Sequence, residues 1–171
     1  IPVSRVQVYF IDNDDYFTRR GIESDEEGNI YSDNVERAVF YARGVLETVK
    51  KLRWAPDVIH CQGWMASLIP LYIKHAYHDE PCFHDVKIVT SLSHVSCEGI
   101  SGKNAKNSIA FRDITRETLA SYPDDFKMKD LEKLAIDFSD AVVEVTPEND
   151  EELKARAKEV VKTYLDYPGE D

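Results

Sequence analysis

The sequence predicts a doubly wound α/β fold built on a parallel β-sheet. Segments rich in β-branched residues alternate along the chain with amphipathic segments of helical period, which is the pattern of repeated βαβ units. Residues 58–61 and 86–92 are nearly continuous apolar runs, as expected of strands that helices cover on both faces. With 171 residues, 43% of them hydrophobic, the chain is long enough to bury one core, so residues 1–171 are predicted to form a single domain.

The N-terminal part of the chain contains the clearest helix. A first strand is predicted at residues 6–11, followed by an acidic loop over 12–29 that shows no hydrophobic period. The helix covers residues 35–52, where apolar side chains recur every 3.6 residues along one face. Asp33 stands at its N-cap position, and Glu36 three residues later completes the pattern of a capping box.

The alternation of strands and helices continues to the end of the chain. Pro70 marks a kink or a late start in the next helix, and Thr146 and Pro147 are expected to cap and begin the last helix. The further helices are predicted at residues 63–77, 108–121, 131–138 and 147–162, with a turn at 122–125. The further strands are predicted at residues 57–61, 86–92, 140–145 and 163–167.

Composition argues against several classes of function. The chain carries 21 Lys and Arg against 32 Asp and Glu, so its formal charge of −11 disfavours nucleic acid and anionic membranes as partners. The longest apolar run, residues 64–73, is about half the length of a membrane-spanning helix. Three irregularly spaced cysteines argue against a disulfide framework and favour a reducing cytoplasm. The chain begins with Ile1 and carries no signal-peptide pattern, so we expect it to belong to a longer protein.

The segment that follows residues 57–61 carries the groups best suited to a ligand. Ligands of open parallel sheets bind beyond the carboxyl ends of the strands. There, His60, Gln62 and Trp64 supply an imidazole, an amide and an indole around Gly63. The first two suit sugar hydroxyls, and the indole face suits the C–H surface of a sugar ring. The alternative is that His60 is a core histidine with satisfied hydrogen bonds and that Trp64 fills the core.

The residues alone predict no catalytic group, metal site or cofactor site. No glycine-rich phosphate loop follows a strand, and the basic stretch over 103–116 is expected to be a mixed surface helix. The acids between residues 12 and 27 are expected to be solvated. The histidines at positions 75, 78 and 84 are expected to lie on the surface, and Cys61 is expected to be a buried, inert thiol.

Five short motifs follow one another along the chain. They are Val8-Tyr9-Phe10-Ile11-Asp12-Asn13, Arg20-Gly21, Asp33-Asn34-Val35-Glu36-Arg37-Ala38, Pro56-Asp57-Val58-Ile59-His60-Cys61-Gln62-Gly63-Trp64 and Pro70-Leu71-Tyr72. In this order and spacing they resemble the N-terminal starch-synthase catalytic domain of bacterial glycogen and starch synthases. The likeness is strongest over residues 6–92. The stretch 141–166 is similar to the tail of short bacteroidete proteins that carry this domain alone.

This resemblance implies a fold, a reaction and a set of site residues. The family has two Rossmann-like domains, of which this chain would form one half, with the site in the cleft between them. Its reaction is a retaining transfer of glucose from ADP-glucose to an α-1,4-glucan, and no cofactor is implied. By position, Tyr9 and Asp33 are expected near the donor sugar. Together with His60, Gln62 and Trp64 they form the predicted substrate-binding set.

The chain also departs from the family pattern. A lysine-glycine-glycine loop would lie upstream of Ile1, and the donor-binding second domain is not among the 171 residues. The histidine-aspartate-tryptophan-histidine motif reads Gln62-Gly63-Trp64-Met65. Met65 cannot replace a hydroxyl-binding histidine, because a thioether is a weak acceptor and no donor. A histidine-asparagine pair aligns best with Ser93 and His94.

These observations lead to one prediction with two alternatives. The chain is predicted to be part of a glycogen/starch-synthase-type glycosyltransferase domain that is inactive alone. The first alternative is a catalytically silent module that binds an α-glucan or a sugar nucleotide. The second is an unrelated flavodoxin-like or receiver-like domain.

Overall fold

A computed structural model describes residues 6–92 and 99–168 of the chain. The helices are α1 (Asp14–Phe17), α2 (Asn34–Lys51), α3 (Ile69–Lys74), α4 (Ala105–Ile109), α5 (Met128–Asp137) and α6 (Glu151–Val160). The strands are β1 (Val58–Cys61), β2 (Lys87–Leu92), β3 (Ile100–Gly102), β4 (Phe126–Lys127), β5 (Ala141–Glu144) and β6 (Thr163–Leu165). The predicted alternation of strands and helices is therefore present from α2 to β6.

A parallel sheet of four strands forms the centre of the fold, in the order β1-β2-β5-β6. His60 pairs with Val89 of β2, and Thr90 of β2 pairs with Val142 of β5. The strands predicted at 57–61, 86–92, 140–145 and 163–167 are all confirmed, and so is the α/β fold class with its parallel sheet. The sequence analysis did not predict the short antiparallel pair of β3 and β4.

The connecting helices cover one face of this sheet. Parallel crossovers are almost always right-handed, so strands added in a single direction carry their connections on the same face. On that face Ile88 and Val142 are fully buried, in clusters with side chains of α3, α5 and α6. On the opposite face Val58 is 54% exposed and Lys87 is also exposed. The expected cover on both faces is thus present on one face of the described strands.

The segment predicted as the first strand does not form one. Residues 6–13 have no regular secondary structure, and Phe10 is 90% exposed. This segment runs along α2 instead, where a Cβ added to Gly44 would lie 3.2 Å from the side chain of Ile11. The prediction was wrong because β-rich composition forms a strand only where a neighbouring strand accepts its hydrogen bonds. Among the described residues, no backbone hydrogen bond involves 6–12.

The predicted helices are confirmed in part. Helix α2 has the expected bounds, and the helix after β1 starts late, with Pro70 in the first turn of α3 after a 3₁₀ turn at Trp64–Ala66. The helix predicted at 108–121 is wrong: α4 ends at Ile109, and turns around an isolated bridge between Phe111 and Ile114 follow.

The last helix begins later than predicted. Its cap is Asp150, whose carboxylate accepts hydrogen bonds from the backbone N–H groups of Glu152 and Leu153. Thr146 was the predicted cap, but its hydroxyl donates to the Glu148 carbonyl in the preceding turn. Asp and Thr are both good caps, and here the position of Asp150 beside two free N–H groups decided the start of α6.

Candidate functional site

The carboxyl end of β1 brings part of the predicted site together. His60 is exposed there, and its Nε2 shares a hydrogen bond of 2.6 Å with Oγ of Ser91 at the end of β2. Gln62 follows on the surface. Gly63 then turns the chain with φ +74°, a left-handed conformation that glycine adopts without strain. A Cβ added at Gly63 would meet no atom within 4 Å, so the space beside this turn is open.

Trp64 lies beneath this turn rather than on its surface. Its side chain is only 7% exposed and belongs to the main hydrophobic core. The guanidinium carbon of Arg37, in the first turns of α2, lies 5.3 Å from the centre of its ring. The alternative reading of Trp64 as core filler therefore agrees with its surroundings, and one indole face is covered by a cation.

Arg37 is the residue of this region that sequence reasoning missed. Although charged, it is only 2% exposed and lies between the rings of Phe17, Tyr31 and Trp64. Its Nη1 donates to the Ile22 carbonyl at 2.6 Å and to Asn34 Oδ1 at 2.7 Å. Burial, and then the charge of Arg19, lower the pKa of Arg37. No periodicity reveals such a position, because the rings come from three separate segments.

Asp33 occupies the N-cap position of α2 but does not act as the predicted capping box. Its two carboxylate oxygens each accept a hydrogen bond of 2.9 Å from Arg19, whose guanidinium also lies over the ring of Tyr31. The side-chain hydrogen bond from Arg19 to Asp33 raises the pKa of Arg19. A bidentate pair of this kind is stronger than a single hydrogen bond to a backbone N–H, so it takes the carboxylate away from the helix end.

Tyr9 lies apart from the other predicted site residues. Its hydroxyl donates to Gln7 Oε1 at 2.9 Å. Two residues later, Ile11 packs beside Gly44 in the middle of α2. Gly44 is eleven positions from Asp33, which corresponds to about 16 Å along a helix. The described residues therefore gather His60, Gln62 and Trp64, connect them to Asp33 through the first turns of α2, and leave Tyr9 farther along that helix.

A narrow crevice opens on the covered side of the same edge. The side chain of Glu132, from α5, lines it together with residues from the ends of β1 and β2. Burial is the main cause that raises the pKa of Glu132 to about 7. Cys61 lines it as well, and burial raises the pKa of its thiol to about 12, so it is un-ionised near neutrality, as expected of an inert thiol.

One larger groove lies away from the predicted site residues. It has a volume of about 560 Å³, runs along α2 and is lined by Tyr16, Phe40 and Arg43 among others, but by none of the predicted site residues. Among residues 6–92 and 99–168, no three His, Cys, Asp or Glu side chains are grouped as a metal site would require. His78 and His84 are exposed as expected, whereas His75 is half-buried against Phe138.

Comparison with known proteins decides the family. A family model described as the starch synthase catalytic domain matches residues 1–164. This chain belongs to the starch synthase catalytic domain family. The glycogen synthases of Chlorobium phaeobacteroides and Chlorobium luteolum are each 42% identical to it over 101 residues. That match covers 58% of this chain and 21% of each relative, so the chain spans about a fifth of their length.

A solved structure supports the fold. The catalytic domain of starch synthase IV from Arabidopsis thaliana, bound to ADP and acarbose, matches with a TM-score of 0.58 and 18% identity. The match covers 80% of this chain and 30% of that one. The described strands and helices thus share the α/β fold of part of that domain. Within the described part of the chain, no helix is long and apolar enough to cross a membrane.

Proposed function

We propose that the carboxyl edge of β1 binds glucosyl groups of an α-glucan or of a sugar nucleotide. In a full-length member of this family, that edge would take part in the transfer of glucose from ADP-glucose to an α-1,4-glucan. The observation that carries the proposal is the pair of exposed hydrogen-bonding side chains, His60 and Gln62, at a strand end of a chain that belongs to this family. The binding of ADP and acarbose by the starch synthase IV domain supports the ligand class.

The chemistry of the edge fits a sugar hydroxyl. The Nε2 atom of His60 is occupied by Ser91, and Nδ1 has no partner among the described residues. Gln62 offers an amide N–H₂ and a carbonyl side by side. We assign direct contact to these two side chains. A supporting role is assigned to Trp64, which packs beneath the turn, and to Asp33, whose carboxylate binds Arg19 beside the start of α2. Tyr9 remains a predicted contact that rests on the family resemblance.

A catalytically silent binding module is the second candidate function. It is favoured by the turn at Gly63, where the family motif has an aspartate and this chain has no side chain. Because the chain spans about a fifth of its curated relatives, we expect no glucose transfer by the 171 residues alone. The cytoplasm is the proposed compartment, in keeping with the free thiols of Cys61 and Cys82.

Calorimetric titration of the 171-residue chain with maltotriose and with ADP-glucose tests the binding proposal. A few hydrogen bonds at an open edge correspond to a dissociation constant of about 1 mM. Replacing both His60 and Gln62 by Ala is expected to remove binding, whereas His84→Ala, a change at an exposed histidine, is expected to preserve it. The absence of binding to the unaltered chain, or full binding by the double variant, contradicts the proposal. Glucose transfer by the chain alone contradicts the interpretation as a catalytically silent binding module.

A further inference from the structure

Several polar side chains line the crevice on the covered side of the strand ends. It is narrow, with a free volume of about 10 Å³, which is room for one water-sized group. The residues that line it include two small positions, three hydroxyl side chains and a single carboxyl group. They are Cys61, Gly63, Ser67, Thr90, Ser91 and Glu132.

The three hydroxyl groups already have partners elsewhere. Ser67 donates to the carbonyl of Trp64, and Ser91 shares its hydrogen bond with His60. Thr90 lies 2.7 Å from the hydroxyl of Ser139. Ser139 in turn donates to a backbone carbonyl of α5, so the proton between the two hydroxyls comes from Thr90. The protons of Ser67 and Thr90 are therefore engaged, whereas in the pair of Ser91 and His60 Nε2 either group can be the donor.

Glu132 supplies the carboxyl group of the crevice lining. Among residues 6–92 and 99–168, no hydrogen bond or ion pair joins its carboxyl group. The negatively charged group near it is Asp150, at the start of α6. The positively charged group near it is Lys129, on the same helix as Glu132. Lys129 lies 2.9 Å from Asp150 and also pairs with Glu152, so its charge is shared. From β1, Cys61 lines the crevice as a neutral thiol, and His60 is connected to the lining through its hydrogen bond with Ser91.

We propose that the Glu132 carboxyl group accepts a hydroxyl group of the ligand in this crevice and so determines specificity at the proposed glucosyl site. This inference rests on the proposed function. A single hydroxyl group fits the space, since the crevice has room for one water-sized group. It also supplies a donor at a place where the hydroxyls of Ser67 and Thr90 donate elsewhere. The contact would extend recognition from the exposed side of the strand ends, at His60 and Gln62, to the covered side.

The contact makes ligand affinity depend on pH. Burial raises the pKa of Glu132 to about 7, so both the neutral and the ionised forms are populated near neutrality. A hydroxyl donates more strongly to a carboxylate than to a neutral carboxyl group. Binding is therefore expected to tighten as the pH rises from 6 to 8, by about fivefold.

Titration of the 171-residue chain with maltotriose at pH 6 and pH 8 tests this inference. The isosteric Glu132→Gln variant is expected to bind about fivefold more weakly at pH 8 and to lose the pH dependence. Glu159→Gln, the same change at an exposed position of α6, is expected to behave like the unaltered chain. Because histidines also change charge near neutrality, His60→Gln is measured as well and is expected to keep the pH dependence.

The outcomes separate this inference from the proposed function. If the unaltered chain binds maltotriose but Glu132→Gln binds equally well at both pH values, the inference is overturned and the proposed site stands. Loss of the pH dependence in His60→Gln but not in Glu132→Gln also overturns it. If the unaltered chain binds no maltotriose, both are overturned. Thermal unfolding of each variant at both pH values shows that the altered affinities are measured on folded protein.

Discussion

The two faces of the parallel sheet carry similar β-branched side chains but meet different surroundings. Ile88 and Val142 are buried beneath the connecting helices, whereas Val58, on the other face of the same sheet, is largely exposed. The difference follows from topology, because strands added in one direction receive their helices on one side. An apolar strand pattern therefore indicates a sheet, but it does not indicate which faces are covered.

A pair of matched truncations gives the largest expected contrast between the faces. Ile88→Ala is expected to lower the free energy of unfolding by about 2–5 kcal/mol, because it leaves a cavity in the core. Val58→Ala is expected to lower it by less than about 1 kcal/mol. Urea denaturation of both variants measures the two changes. Equal losses would mean that the exposed face is covered in solution.

The next largest expected effect on the free energy of unfolding comes from the titration of Glu132, which lies on the helix-covered face of the sheet. Burial raises its pKa from the ordinary 4.5 to about 7, so the folded chain binds this proton more tightly than the unfolded chain. Its contribution to stability is full below pH 4.5 and is lost as the pH rises to 7. The loss is at most about 3 kcal/mol. In chemical denaturation at pH 5 and pH 8, Glu132→Gln should show a smaller decrease than the unaltered chain. An identical decrease would contradict burial as the cause.

Asp140 provides a somewhat smaller effect at the start of β5. It accepts hydrogen bonds from the backbone N–H of Ile88 at 2.8 Å and from Lys74 at 2.9 Å. Burial opposes ionisation, but these two donors outweigh it and lower the pKa of Asp140. Its contribution to stability is therefore present above the ordinary pKa of an aspartate and is lost as the pH falls below it. Asp140→Ala is expected to cost about 1–3 kcal/mol at pH 7 and less at pH 3, by denaturant titration. A cost independent of pH would exclude the charge as its source.

The smallest effect lies outside the sheet, at the half-exposed pair of Arg19 and Asp33. Asp33→Asn is expected to lower the free energy of unfolding by about 0.5–1 kcal/mol, as for other ion pairs near a surface. Thermal unfolding at low and high salt measures this change. A loss above 2 kcal/mol that salt does not reduce would place the pair inside the core instead.

The sequence predicted best what repeats along the chain. The period of α2 and the apolar runs of β1 and β2 are local signals, and the structure confirms each of them. The strand at 6–11 failed because pairing depends on a distant partner. The cap at Thr146 failed because Asp150 competes for the same helix end.

The site was predictable where a single segment carries it. His60, Gln62 and Trp64 are adjacent in sequence, and the structure keeps them together at one strand end. Arg37 and Glu132 could not be found in this way, because each owes its environment to segments far away in the chain. For Trp64 the sequence left two alternatives, a platform for a sugar ring or a core residue, and its ring lies under Arg37 because α2 packs across the turn.

The two arginines near the start of α2 also have a consequence for the mechanics of the chain. Arg19 and Arg37 fasten residues 19–33, which have little regular structure, through Asp33 and the carbonyl of Ile22. Closing a loop costs entropy that grows only slowly with its length. The hydrogen bonds of these two arginine side chains can therefore hold a long irregular segment against α2 without a ladder of backbone hydrogen bonds to that helix. Loss of the hydrogen bonds of either arginine should first appear as faster amide hydrogen exchange in that segment, while the sheet stays intact.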